Sequence, residues 1–328
     1  MIGLGAVAPL VVALALAVDA AVGDPDAIWR RLPHPVALIG RLVAALDRRL
    51  NDAAAGESAR RVAGVLAAAV ILAVPAAAGL LVQTALLALP SPAGEIGVAL
   101  VAAVLLAQNS LDVHVEAVRD GLARGLADGR SAVAMVVGRD PERLDAAGVA
   151  RAAIETTAES FSDGVVAPAF WLALFGLPGI CAYKAVNTAD SMIGHLTPRH
   201  AAFGWAAARL DDLVNLAPAR LSGVLVALAA PVAGGRIGRS LAAMWSDARK
   251  HPSPNAGWPE AAMAGALGVA LCGPTAYDGV VDGKPWLNAG GRTAATADDI
   301  RRCLAVYRAA CALHLALYGG LAVLVALA

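Results

Sequence analysis

"AESFSDGVVAPAFWLALFGLPG", residues 158–179, is the stretch on which the reading of this chain turns. Two carboxylates, Glu159 and Asp163, stand directly before an apolar run broken by Pro168, Gly176, Pro178 and Gly179. A plain membrane anchor has no use for acids at that point, and a soluble core does not normally carry such a run beside them. The segment reads as a working part of a chain at the border of an apolar medium.

The surrounding composition names that medium. Of the 328 residues 59% are hydrophobic and only 16% charged, and the mean hydropathy is +0.65, which together point to a polytopic membrane protein. The formal net charge is zero and no Lys/Arg block forms a basic stripe, so nucleic acid is excluded as a partner. Cys181, Cys272, Cys303 and Cys311 have no C-x-x-C spacing, so neither a zinc site nor a disulfide framework is indicated. The first apolar segment lacks a basic region before it and runs into Gly23-Asp24-Pro25 without a small-x-small cleavage site, which predicts a retained helix.

At roughly 20 apolar residues per span, residues 4–22, 62–89, about 93–113 and 309–328 are expected to cross fully. Residues 165–182 and 221–234 are shorter or broken, and are expected to be buried, re-entrant or tilted. Of the 26 Lys and Arg, seven fall in 23–61, six in 110–163, four in 182–220 and nine in 236–308, whereas the 90–94 turn has none. By the positive-inside rule that turn faces outward and the long loops face the cytoplasm. The expectation is an all-α, multi-pass inner-membrane protein. It forms a single membrane-embedded domain over 1–328, with cytoplasmic loops at about 23–61, 114–220 and 236–308. "PERLDAAGVARAAIETTAESF", opening with Pro141 and Glu142, reads as a helix from its first residues.

On that helix Glu155, Glu159 and Asp163 are spaced i, i+4, i+8 and share one face. Gathered acids repel unless a cation sits among them, so Mg²⁺ is one reading and a solvated acidic face the other. "YKAVNTADSMIGH" supplies Lys184, Asn187 and Asp190; "FGWAAARLDDLVN" supplies Arg209, Asp211, Asp212 and Asn215. Arg209 with Asp212 is read equally well as a surface ion pair or as part of a phosphate clamp. In "KHPSPNAGWPEAAMAGALG" prolines fix a turn at Asn255, and Pro259-Glu260 opens a helix whose free N–H groups suit an anion. "GDPDAIWRRLPHPVALIGR" has the same character, with His34 between two prolines and Arg41 beyond. "GGRIGRS", residues 234–240, is one residue short of a P-loop and has Arg239 in place of lysine, and it is set aside.

Taken together these stretches, with "VGRD", "ETTAESFSDGVVAPAFW" and "LAPAR", resemble the CobD/CbiB family of cobalamin biosynthesis, the membrane-bound adenosylcobinamide-phosphate synthases. The likeness covers most of the chain and departs from the family at Ser160, where Asn is usual. The resemblance implies an ATP- and Mg²⁺-dependent amide ligation. The free propionate of adenosylcobyric acid, a corrinoid, would be joined to the amine of aminopropanol phosphate through an acyl phosphate. On that footing Glu155, Glu159, Asp163, Asp190, Asp211 and Asp212 are candidates for proton transfer, with Glu159, Asp163, Asp211 and Asp212 for the metal. Lys184 and Arg209 would clamp phosphates. His34, Arg41, Asn187, Asn215, Asn255 and Glu260 would hold the aminoalcohol phosphate or the corrin's amide rim. The active site would face the cytoplasm, beside other membrane-associated enzymes of the same synthesis. A transporter, or a scaffold for corrinoid enzymes, is the rival reading, since acids in broken apolar segments also couple ions. A transporter should have internally related halves, and the sequence has none in evidence.

Overall fold

The computed structural model describes residues 8–137, 141–277, 280–283 and 285–328. Residues 138–140 of the "VGRD" stretch and the first seven residues lie outside them. The helices are α1 (Pro9–Val22), α2 (Asp26–Trp29), α3 (Pro35–Leu50), α4 (Glu57–Leu87), α5 (Ala93–Ala103), α6 (Gln108–Arg124) and α7 (Leu126–Val133). There follow α8 (Ala146–Phe161), a π-helical turn (Ser162–Val166), α9 (Ala167–Ile193), α10 (Trp205–Val214), α11 (Leu216–Ala229), α12 (Ile237–Asp247), α13 (Gly257–Leu267) and α14 (Ala297–Leu327). Among the described residues strands are confined to two short antiparallel ladders, β1 (Leu271–Cys272) with β4 (Trp286–Leu287) and β2 (Thr275–Tyr277) with β3 (Val280–Asp282).

The protein is an all-α polytopic membrane protein. Among the described residues five helical stretches are long and apolar enough to cross a membrane: Glu57–Leu87, Ala93–Arg124, Ala146–Ile193, Leu216–Ala233 and Ala297–Leu327. The two segments read as weak therefore belong to helices of spanning length, while the described part of the first segment, α1, is a shorter apolar helix of 14 residues. One boundary is corrected. The helix expected to open at Pro141 starts at Ala146, because Asp145 Oδ1 accepts the Gly148 N–H at 2.7 Å and closes the first turn there.

The chain divides into two compact units, residues 1–107, 167–215 and 318–328, and residues 108–166 and 216–317. In the first, α4 packs along α9. α9 is kinked at Gly176, whose φ of 66° is one that only glycine adopts cheaply. The kink removes the helical acceptor for the Leu177 N–H, and buried Gln83 of α4 replaces it, its Oε1 2.7 Å away. An unsatisfied amide in an apolar medium costs several kcal/mol, which explains a glutamine in the middle of an apolar helix. Gly79, one turn earlier, lets the helices touch: a Cβ there would stand 2.6 Å from the Leu177 carbonyl oxygen. Beyond the kink, Ala185, Ala189 and Ile193 recur every four residues and bury one face of α9 against Ile39, Ile71 and Phe203.

In the second unit α13 is the central element. All eleven of its residues are buried, ten of them apolar or small and the eleventh Glu260, so the helix needs neighbours on every face. It packs against α11, α12 and α8, and Gly265 admits the α12 backbone, with Ser240 Cα 2.8 Å from where its Cβ would be. Asn288 caps its far end, donating from Nδ2 to Ala264 O at 3.1 Å and Val269 O at 2.9 Å. Ion pairs tie α14 in: Arg308 to Asp112 at 2.8 Å, and Arg292 and Arg302 to Asp299 at 2.7 and 3.2 Å.

Candidate functional site

The face of α9 opposite its buried alanines carries Tyr183, Asn187 and Asp190, two of them separated by one turn, so helical periodicity alone delivers a polar stripe. α10 brings Asp211 and Asp212 to it. Asn187 Nδ2 donates to Asp211 Oδ1 at 3.4 Å, Asn215 Nδ2 to Asp211 Oδ2 at 3.0 Å, and Tyr183 Oη to Asn215 Oδ1 at 3.0 Å. Asn215, 1% exposed and the C-cap of α10, is thus the fixed hub of the group. Asp190, Asp211 and Asp212 lie near enough to repel one another. Burial first, and then the Asp190 charge, push the Asp211 carboxyl up to about 7 against the hydrogen bonds of Asn187 and Asn215. Arg209 Nη1 meets Asp212 Oδ2 at 2.9 Å from a 62% exposed side chain, a geometry compatible with an ordinary surface pair. Lys184 is half-buried on the same helix. An apolar cavity of ≈330 Å³ in this unit runs between α4, α9 and α10 past Trp171, Phe175 and Val214, and Tyr183 is its border with the acids.

His34 and Arg41 also belong to this unit. His34 is the N-cap of α3: its Nδ1 accepts the Val36 N–H at 3.2 Å, which leaves the proton on Nε2, 3.5 Å from Asp24 Oδ1. The "GDP" and "LPHP" motifs are therefore two sides of one corner. Arg41 is exposed on α3, two turns beyond.

The second unit holds the remaining candidates. Glu155 and exposed Glu159 are on α8, whereas Asp163 sits inside the π-helical turn, where the wider winding changes the direction in which it leaves the axis relative to a regular i, i+8 stripe. Glu155 Oε1 accepts the Cys272 N–H at 2.8 Å, at a residue with φ of 61°. Glu260, 3% exposed in the first turn of α13, faces His251 Nε2 at 3.7 Å, and His251, Glu260 and Cys272 offer ligand atoms within 4.8 Å of one another. His251 Nδ1, however, accepts the Ser253 N–H at 3.0 Å, so Nε2 carries the proton and points a donor at the carboxylate. That arrangement describes a hydrogen-bonding corner better than a metal triad, which would need a lone pair on Nε2. Asn255 is buried and accepts from Arg220 Nη1 at 3.0 Å.

Oxygen-rich and amide-framed, the Asp190, Asp211 and Asp212 group has the donor chemistry for Mg²⁺. Sequence reasoning missed Tyr183, His251 and Arg220. His251 had a signal, since His-Pro recurs at positions 34 and 251, but Tyr183 and Arg220 look like any residue of a helical pattern.

The family described as CobD/Cbib protein matches residues 12–307. Among curated relatives, "Cobalamin biosynthesis protein CobD" of a Sinorhizobium species is 49% identical over 308 residues, covering 92% of this chain and 94% of the relative. Proteins of that name from Brucella suis biovar 1 and Rhodobacter capsulatus are 47% and 49% identical, over 91% of this chain and 92% of each relative. No solved structure matches the chain.

Proposed function

Because the chain belongs to the CobD/Cbib family, we propose that it serves cobalamin biosynthesis as an ATP- and Mg²⁺-dependent amide ligase. It joins an amino-alcohol phosphate, of the aminopropanol phosphate type, to the free propionate of adenosylcobyric acid and yields adenosylcobinamide phosphate. One observation carries the reading: Asp190, Asp211 and Asp212 gather from two helices, and Asp211 among them is held by the neutral amides of Asn187 and Asn215. Carboxylates meant only to hold a fold are paired with cations or capped by N–H groups; here Asp211 is held by neutral side chains with two further carboxylates beside it.

The chemistry asks for what that frame offers. A carboxylate has no leaving group, so its oxygen takes the γ-phosphoryl of ATP, releasing ADP, and the amine then attacks the acyl carbon and expels phosphate. Mg²⁺, when bound, neutralises the nucleotide's phosphate oxygens. Asp190, Asp211 and Asp212 would hold it, and Asn187 and Asn215 fix the Asp211 carboxylate. Lys184 and Arg209 would steady the transferred group, and a carboxylate of the Asp190, Asp211 and Asp212 group would take the ammonium proton. The apolar cavity bordered by Tyr183 would accept apolar substrate edges from the bilayer side, with the acids facing the cytoplasm across the inner membrane.

The direct test is ligation by the purified protein in detergent. Adenosylcobyric acid, ATP, Mg²⁺ and aminopropanol phosphate should give adenosylcobinamide phosphate and stoichiometric ADP by mass spectrometry. No product under any of several amino-alcohol phosphates, from protein that is folded by its thermal transition, would refute the reading.

A further inference from the structure

Around the Pro252–Pro254 turn of the second unit most charges are spent. Lys250 Nζ pairs with Asp247 Oδ1 at 2.7 Å, and Asp247 also accepts the Asn288 N–H at 2.6 Å. Glu260 faces His251. Arg220, on the first turns of α11, is different. Its guanidinium lies over the Trp258 ring, 4.4 Å from the centroid, and both of its hydrogen bonds leave from Nη1, to Leu216 O at 2.9 Å and Asn255 Oδ1 at 3.0 Å. All three partners are neutral. The charged group that acts on it is a second cation, Arg249, and among the described residues neither guanidinium has a carboxylate partner.

A guanidinium has five N–H donors, and the two on Nη1 are in use. Among the described residues the Nε and Nη2 edge has no partner: a pair of parallel N–H vectors with the spacing of two phosphate oxygens. Stacking on Trp258 and the bond to Asn255, itself fixed by the Ser253 Oγ that accepts its N–H at 3.2 Å, hold the plane of that edge still. Two cations near enough to act on one another, one of them half-buried, repel each other until an anion joins them. We propose that Arg220 and Arg249 bind a phosphate group of the substrates, that of the amino-alcohol phosphate or that of the nucleotide, through this unspent edge. The assignment deepens the ligase reading and rests on it for the identity of the phosphate's carrier.

Binding can be read without turnover. The thermal midpoint of the protein in detergent is measured in inorganic phosphate and in chloride at matched ionic strength, for wild type, Arg220→Lys and Arg249→Gln, with exposed Arg124→Gln as control. Wild type and the control should gain stability from phosphate, and the gain should fall to less than half in the two variants. In the ligation assay each variant should raise KM about 10-fold, the loss of one bidentate contact. The rise falls on the amino-alcohol phosphate if that is the carrier, and on ATP if the nucleotide is. Arg249 is exposed and its replacement leaves packing intact, so Arg249→Gln decides the matter should Arg220→Lys fold poorly. An unchanged phosphate gain together with both KM values within twofold of wild type overturns the proposal. Protein that ligates nothing but loses its phosphate gain in the variants refutes the ligase reading and leaves the phosphate site standing.

Discussion

Two buried or half-buried aspartates, Asp211 in the first unit and Asp247 in the second, have opposite surroundings. Asp247 is enclosed, which alone would raise its carboxyl, but Lys250, the Asn288 N–H and Ser246 outweigh burial and hold it below the ordinary value. Asp211 has Asn187 and Asn215 for company and Asp190 and Asp212 for neighbours, and it is pushed up to about 7. The first arrangement is complete in itself. The second is a cost to the fold, and a cost of that kind persists where a ligand offsets it. The contrast separates acids that build the protein from acids available to work.

The largest expected effect follows from that division. Asp211→Asn should lower ligation by on the order of 100-fold or more, the scale of losing a charge-stabilising group at a reacting centre, while the protein keeps or raises its thermal midpoint near neutral pH. Asp247→Asn should do the reverse: turnover per folded molecule within about twofold, and stability lower by about 2 kcal/mol, the range for hydrogen bonds made to a charged group. Equal losses of activity in the two variants would erase the distinction.

A smaller effect sharpens it with pH. The Asp211 carboxyl ionises near 3.8 in the unfolded chain and near 7 in the folded one, so the folded chain holds the extra proton between those values. Its contribution to stability is fully present below about pH 4 and is lost as pH rises through about 7. For Asp247 the shift is downward, so its contribution is present above about pH 4 and is lost as pH falls below it. Thermal midpoints from pH 5 to 8.5 should therefore decline less steeply in Asp211→Asn than in wild type, and Asp247→Asn should leave that limb unchanged. Parallel curves for wild type and Asp211→Asn would show that the acid is not held protonated.

The same contrast measures what the sequence could tell. Asn187 and Asp190 were legible because one helical turn separates them, and Asp211 and Asn215 for the same reason. Apolar length likewise announced a polytopic all-α protein. What brings α9 against α10 is burial of Ala185, Ala189 and Ile193 in one cluster with Phe203 and Ala207, and no local pattern encodes which faces of two helices meet. The acids at 155, 159 and 163 looked like one stripe because an α-helix was assumed. The π-helical turn at Ser162–Val166 breaks that spacing, and nothing in the residue types foretells it. The start of α8 was misplaced for a plainer reason: Pro141 is a good first residue, but Asp145 is a better cap, and hydrogen bonding to Gly148 wins over a preset φ.

The smallest expected effect concerns the two His-Pro corners, which repeat the comparison on a finer scale. His34 and His251 each accept, at Nδ1, the N–H two residues on, and each turns Nε2 toward a carboxylate, Asp24 or Glu260. With the acceptor nitrogen given to the backbone, either ring can only donate, so neither is a base or a metal ligand while its corner is intact. A side chain that serves only as a cap is replaceable by another cap. His34→Asn keeps an acceptor for the Val36 N–H, and should leave the thermal midpoint and KM for both phosphate substrates close to wild type, whereas His34→Ala should cost about 1 kcal/mol, the usual worth of an N-cap. If His34 instead touches the substrate, asparagine cannot stand in for the Nε2 donor at imidazole reach. KM for the amino-alcohol phosphate would then rise in both variants alike, without tracking stability, and that outcome would move His34 from the corner to the site.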